Sequence, residues 1–370
     1  MIYVLLTYLM APWWWLAKRL QRRGKIERIL LVQTAKIGDM LCATPVILAL
    51  RQHYPDAQLS VLHAPVTGKI IASLSEVDHC IAIRSDSWRG WVGKWRLARL
   101  IAAGRYDLAV NLSPSLPLLC GLIWAGVPRT LSIMPTKVGR TLAALRRCID
   151  LTEQHRPGEL VLATKQRLLQ QQGIAMGLRK KMAIAASGET VCDRLGVTPD
   201  HSAIGLAISS ASKLKELGED LLSALVARLL QDYPGQVVLI GGPEDGPCAA
   251  AVVARVPGGE RVINAAGAFQ LDELPALMQR LKLFIGVDSG LTYLADTFDV
   301  PMVVIVGPVD FREQRPLGAR VRFVSKQPPC YPCAFVFNAP YTCRVGGREC
   351  IVSVRVQDII SAANKVDHAE

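Results

Sequence analysis

RILLVQTAKIGDMLCATPVILALRQHYP, Arg28 to Pro55, opens with an apolar run, passes through a Gly-Asp pair and continues into a helix-like run. RILLVQ has the length and composition of a short buried strand, and VILALRQHYP follows it as a helix. In open α/β sheets, loops at the carboxyl ends of parallel strands are where ligands bind. Asp39 therefore reads either as a chemical group at a site or as a helix cap. Gly38 permits a tight turn there. Thr44 and Pro45 fit an N-cap and a first helical position, or else the helix begins nearer Asp39 and bends at Pro45.

The same unit repeats in both directions along the chain. QLSVLH around Ser60, HCIAI around Ile81 and YDLAVNL from Tyr106 are strand-like, and KWRLARLIAAG between them is helix-like. Arg140 to Leu195 reads as basic and helical, with ELVLATKQRLLQQQG the clearest helix. A second series then opens with AIGLAIS, LLSALVARLLQDYP, QVVLIGG, RVINAAG, LKLFIGVDSG and PMVVIVGP, and VRVQDIISAANKV closes the chain as a helix. Alternating strands and helices imply a parallel sheet covered on both faces. Two doubly wound α/β halves, joined near residues 185–200, fit the pattern. The segments divide as 1–25, 26–190, 191–354 and 355–370.

At 370 residues, 51% apolar and 20% charged, the chain is long enough for two cores and too apolar for disorder. Its net charge of +12 calls for an acidic partner: anionic lipid, a phosphorylated ligand or nucleic acid. No RNA-module or zinc-finger spacing occurs, so nucleic acid ranks last. MIYVLLTYLMAPWWWLA is uncharged for seventeen residues and is followed by KRLQRRGK. That order is reversed relative to a secretory signal. The run is slightly short of the roughly 20 residues that span a bilayer, and Trp13 to Trp15 sit where an aromatic belt would lie. The segment is expected to be a membrane-interfacial helix. A short span of the same orientation and a helix packed on its own domain are the alternatives.

Without a signal peptide, the ten cysteines do not suggest a disulfide framework. Cys42, Cys80, Cys120, Cys148, Cys192 and Cys248 are scattered in apolar surroundings and read as core residues. Cys330, Cys333, Cys343 and Cys350 are clustered, and either close a tetrahedral zinc site or form a reduced, metal-free knot. In the second half, LFIGVDSGLTYLADTF places Asp288, Ser289 and Gly290 between a strand and a helix. Backbone N–H groups at such a start suit a diphosphate, and a plain cap by Asp288 or Ser289 is the alternative. In LIGGPEDG, Glu244 sits in a loop where a carboxylate can accept from ribose hydroxyls. Neither G-x-G-x-x-G nor G-x-x-x-x-G-K-[ST] is present, which argues against a standard dinucleotide fold and a P-loop NTPase.

Taken together, GDMLCATPVILALRQHYPDAQLSVL, YDLAVNL, VVLIGGPED, the segment AAGAFQLDELPALMQRLKLFIGVDSGLTYLADTFDVPMVVIVGP and the cysteine-rich close resemble glycosyltransferase family nine. The resemblance runs from about Arg28 to Ile360. It implies a GT-B architecture, two Rossmann-like doubly wound domains facing across a cleft, with the second holding the donor. It also implies an inverting glycosyltransferase with no cofactor and no required metal. The donor would be a nucleotide-sugar, ADP-heptose being the family's, and the acceptor a lipid-linked lipopolysaccharide core. The enzyme would then work at the cytoplasmic face of the inner membrane. Asp39 matches the family's general base. Ser209 and Ser210 match a small polar pair, and Lys213, with Lys215 as its rival, the diphosphate cation. Glu244 matches an acidic loop residue, and Asp288, Ser289 and Gly290 match the D-[ST]-G element. Where the family commonly has His, this chain has Tyr293. A non-catalytic member that binds nucleotide or lipid is the alternative reading.

Overall fold

A computed structural model describes residues 2–9, 18 and 24–367. The chain divides into two compact units, Met1–Lys181 and Met182–Glu370. Each is built on one six-stranded sheet whose paired strands are parallel. This is the doubly wound α/β architecture expected from the alternating runs.

In the first unit the strands are β1 (Arg28–Gln33), β2 (Gln58–His63), β3 (His79–Ala82), β4 (Leu108–Asn111), β5 (Arg129–Met134) and β6 (Leu151–Gln154), in the order β3-β2-β1-β4-β5-β6. The central strand β1 is apolar and buried because it pairs on both sides, with Ile29 opposite Leu59 of β2 and Leu108 of β4. Helices α1 (Ile2–Leu9), α2 (Ile37–Leu41), α3 (Thr44–His53), α4 (Gly68–Ala72), α5 (Gly90–Ala103), α6 (Leu116–Trp124), α7 (Arg140–Arg146) and α8 (Val161–Gln170) accompany them. The Arg140–Leu195 stretch is not wholly helical, since β6 lies inside it. Thr152, Glu153 and Gln154 give β6 no apolar signature, and as an edge strand it needs none on its open side.

The loop after β1 holds two helices. α2 comes first, a two-residue turn follows, and α3 starts with Thr44 and Pro45 inside its first turn. Ala43 occupies the N-cap position, so Thr44 is not the cap. Its hydroxyl donates to the Leu41 carbonyl at 2.8 Å and accepts from the Lys181 amide at 3.0 Å.

The expected N-terminal helix is present over Ile2–Leu9, and it packs on its own unit. Trp124 Nε1 donates to Thr7 Oγ1 at 2.8 Å, the Tyr8 hydroxyl donates to the Ala144 carbonyl at 3.0 Å, and Tyr3 and Val4 lie against the cluster around Leu119, Ile123 and Leu145. Trp13, Trp14 and Trp15 lie outside the described residues. Among the described residues no helix is long and apolar enough to cross a membrane.

In the second unit, β7 (Ala203–Ala207), β8 (Val237–Ile240), β9 (Val262–Asn264), β10 (Leu281–Val287), β11 (Met302–Val306) and β12 (Val321–Ser325) form the order β12-β11-β10-β7-β8-β9. Its helices are α9 (Ser187–Arg194), α10 (Glu219–Asp232), α11 (Gly246–Arg255), α12 (Leu274–Arg280), α13 (Gly290–Thr297), α14 (Glu349–Val352) and α15 (Val356–Asp367). Leu206, Leu225, Leu239, Ile285, Ile305 and Ile359 belong to one buried cluster between sheet and helices. The closing helix α15 is thus part of this core.

All ten cysteines are free. Cys42, Cys120, Cys148 and Cys192 are buried and Cys248 half-buried, whereas Cys80 is exposed on β3 and is not a core residue. Burial pushes the Cys120 thiol up to about 12. Among the described residues no group of three or more His, Cys, Asp or Glu side chains is arranged to hold a metal ion, the Cys330–Cys350 cluster included.

Candidate functional site

Both sheets reverse direction of winding once. In the first the reversal lies between β1 and β4, in the second between β7 and β10. At such a point the two flanking loops diverge to opposite faces and leave room for a ligand at the strand ends. The residues singled out in the sequence fall on these two places.

In the first unit, Asp39 stands in the first turn of α2, half-buried, where the helix dipole favours a negative charge. The turn is fixed from behind. Gln33, the last residue of β1, donates from Nε2 to the Asp39 carbonyl at 3.3 Å. Ser113, in the loop after β4, donates to Gln33 Oε1 at 2.6 Å and accepts from the Thr34 amide at 2.9 Å. The two loops of the switch point are thereby tied together. Below α2, the buried Lys165 Nζ donates to the Cys42 carbonyl at 2.8 Å. Burial lowers its pKa, and Cys42 and Asp39 oppose that shift. Gln33, Ser113 and Lys165 carry no motif signature and were not legible as supporting residues.

In the second unit, β10 ends at Val287 and α13 begins at Gly290 with Ser289 as N-cap. Neither expected cap bond is made. Asp288 instead takes Lys215 on one oxygen and Tyr293 on the other. Lys215 Nζ lies 2.5 Å from Oδ2 and 3.1 Å from the Asp288 carbonyl, and the Tyr293 hydroxyl donates to Oδ1 at 2.7 Å. Ser289 Oγ is buried and has no hydrogen-bond partner among the described residues. A buried hydroxyl without a partner is costly in a finished core and is affordable where a ligand will meet it.

The two candidate lysines separate clearly. They flank Leu214, which is buried, on a single 3₁₀ turn over Lys213–Lys215. Lys213 is 86% exposed and pairs with Glu216 at 2.8 Å. Lys215 is 19% exposed and sits on Asp288. The cation beside the D-S-G turn is therefore Lys215, and Lys213 points to solvent. The loops after β7 and β8 show a similar exchange. Glu244 is exposed, and the buried acid is its neighbour Asp245. Asp245 Oδ2 accepts from Ser209 Oγ at 2.5 Å and from the Gly242 amide at 2.7 Å. A Cβ at Gly241, the residue after β8, would lie 2.6 Å from that same oxygen, so a larger residue there would push Asp245 aside. Ser209 thus spends its proton on Asp245, and Ser210 is half-buried beside it, with its Oγ 3.4 Å from the Ser212 amide.

Chemically, the second unit presents an ammonium, an unpaired buried hydroxyl and the N–H groups of a helix start at one switch point. That set suits the diphosphate of a nucleotide. The first unit presents a half-buried carboxylate at its own switch point, which suits proton abstraction.

The family model described as glycosyltransferase family 9 (heptosyltransferase) matches residues 127–338, more than half of the chain. Lipopolysaccharide heptosyltransferase 3 of Escherichia coli (strain K12) is 28% identical over 296 residues, which cover 75% of this chain and 82% of that protein. The crystal structure of the glycosyl transferase family 9 from Veillonella parvula DSM 2008 is similar with a TM-score of 0.76 at 20% identity, covering 93% of this chain and 98% of that one. The E. coli ADP-heptose lps heptosyltransferase II structure has a TM-score of 0.71 at 18% identity, over 92% and 98% of the two chains. At these identities the two structures speak for a shared fold.

Proposed function

This chain belongs to glycosyltransferase family 9, and from that premise we propose that it transfers a heptose, with inversion, from a nucleotide-sugar of the ADP-heptose kind to the lipopolysaccharide core. The observation that carries the reading is the pairing of Lys215 with Asp288 beside the unpaired Ser289 hydroxyl at the start of α13.

The donor would lie across the loops after β7, β8 and β10, its diphosphate on Lys215, Ser289 and the Gly290 end of α13. Ser210 and Glu244 stand at the same strand ends and serve the nucleotide. Asp288 takes the ligating role by holding Lys215 in place, and Tyr293 fixes Asp288 from the other side. Asp39 is the base. It takes the proton of the acceptor hydroxyl as that oxygen bonds to the anomeric carbon, while the bond from that carbon to the diphosphate oxygen breaks. One displacement inverts the centre. Negative charge gathers on the departing nucleoside diphosphate, where Lys215 and the helix N–H groups meet it. The acceptor of this reaction is a lipid-linked core, so the reading puts the enzyme at a membrane surface, on the cytoplasmic side of the inner membrane.

The test is an incubation of the full chain with ADP-heptose and truncated core acceptors. Asp39→Asn is expected to keep donor affinity within about twofold and to lower turnover by roughly 10²-fold or more. Near-normal turnover of that variant would remove Asp39 from the chemistry. The second reading, a member that binds nucleotide without transfer, is favoured by Tyr293 and by the engaged Ser209 hydroxyl. It predicts donor binding and no product with any acceptor.

A further inference from the structure

We propose that the outer faces of α1 and α5 form one docking surface for an anionic lipid bilayer; the idea rests on the membrane-surface reading above and names the surface. The two helices lie side by side over α6. Trp124 of α6 donates to Thr7 of α1 and has its ring centroid 6.5 Å from that of Trp95 on α5. Lys94 of α5 places its Nζ 4.3 Å from the centroid of the Tyr3 ring of α1. Their inner faces are thus engaged, and their outer faces carry large apolar side chains in the open. Leu9 is 69% exposed and Trp91 59%, and Leu5 and Val92 accompany them, together with the open edges of Tyr8 and Trp95, whose other edges face their own unit. A protein that only faced water would not leave two tryptophans and two leucines together on one surface.

Charge decides the occupant. From Ser87 to Arg105 there are five basic side chains and no acidic one, and from Thr136 to Arg147 four and none. Helices α1 and α6 carry no charge at all. On α5 the exposed side interleaves the two kinds, Trp91, Val92 and Trp95 followed by Arg96, Arg99 and Leu100. Tryptophan at headgroup depth and arginine at phosphate level is the pattern of a helix lying in a bilayer interface. A protein partner would need a matching acidic, concave face. An anionic leaflet supplies both the charge and the apolar boundary at once.

The experiment is sedimentation of the full chain with large vesicles of phosphatidylcholine, with and without about 30% phosphatidylglycerol, at low and high salt. Binding is expected on the anionic vesicles, and to weaken but persist in high salt because only the electrostatic part is screened. The double variant Trp91→Glu/Val92→Glu, whose side chains are solvent-facing, is expected to lose about tenfold or more in bound fraction. Arg96→Glu/Arg99→Glu is expected to lose the preference for phosphatidylglycerol. Both variants should transfer sugar to a soluble acceptor fragment as the parent does. Unchanged vesicle binding of the first variant, or equal binding of the parent to both lipids, overturns the proposal. So does a dimer of the parent that the first variant dissolves, since the face would then belong to a second copy. Transfer without vesicle binding sinks this surface and leaves the function standing. Vesicle binding without transfer to any core acceptor does the reverse.

Discussion

Lys213 and Lys215 are the same residue type two positions apart, and their fates differ because of the leucine between them. Leu214 goes into the core, so the turn must present its neighbours in different directions. A 3₁₀ turn advances about 120° per residue, which leaves residues i and i+2 on different faces. Lys215→Ala is accordingly expected to weaken binding of ADP by roughly 10-fold or more, the scale of one lost charge-assisted hydrogen bond. Lys213→Ala, whose ammonium pairs with Glu216 at the surface, should change it by less than about twofold. Calorimetric titration of both variants measures the difference. Equal effects, or the reverse order, would move the diphosphate away from Asp288. Asp245 and Glu244 repeat the lesson. Adjacent acids in a tight turn face opposite ways, and the one that bonds Ser209 and Gly242 holds the loop while the other is left to reach a ligand.

Helix α1 shows how one element can serve two surroundings. Its apolar composition suits a membrane boundary, yet one side of it covers α6 and α7. Removing residues 1–24 would expose Trp124 and the apolar cluster beneath it to water and would remove the hydrogen bond from its indole N–H to Thr7. The lost packing of Tyr3 and Val4 and the lost hydrogen bond amount to about 2–4 kcal/mol. For a unit of this size that lowers the melting temperature by roughly 5–10 °C. Scanning calorimetry of the truncated chain against the parent checks it, and an unchanged transition would show that α1 contributes no stability. Of the three unforeseen strands, β5 is internal, and its polar Arg129, Thr130 and Ser132 hide it as a strand in RTLSIM; the other two share a different cause. β6 and β12 are edge strands with mixed polar and apolar residues, and their pairing is supplied by the neighbour already in the sheet rather than by their own sequence.

Across the whole molecule, each unit owns a sheet, a core and a switch point. The buried cluster of the second unit runs from β7 to α15, and Lys215, Asp245, Asp288, Ser289 and Tyr293 all lie within it in sequence. Residues 182–370 expressed alone are therefore expected to fold cooperatively and to bind ADP within about tenfold of the full chain, while transferring no sugar for want of Asp39. Circular dichroism and nucleotide titration decide this. A fragment that stays unfolded, or that folds and does not bind, would mean the donor site draws on the first unit.

The sequence by itself determined the alternation of strands and helices, the two doubly wound halves, the family and the strand-end position of Asp39 and Asp288. These follow from local pattern: a central parallel strand is buried on both faces and must be apolar, and the loop after it is free to carry motif residues. Only the tertiary structure decided that Lys215 rather than Lys213 meets Asp288, that Asp245 rather than Glu244 is buried, and that Gln33 and Ser113 brace the Asp39 turn. It also decided that α1 faces its own unit on one side and the open on the other. Such outcomes depend on which side of a turn the core claims. That is set by neighbours tens of residues away, as Ser113 is from the Asp39 turn that it braces through Gln33, and by contacts that composition and spacing do not encode.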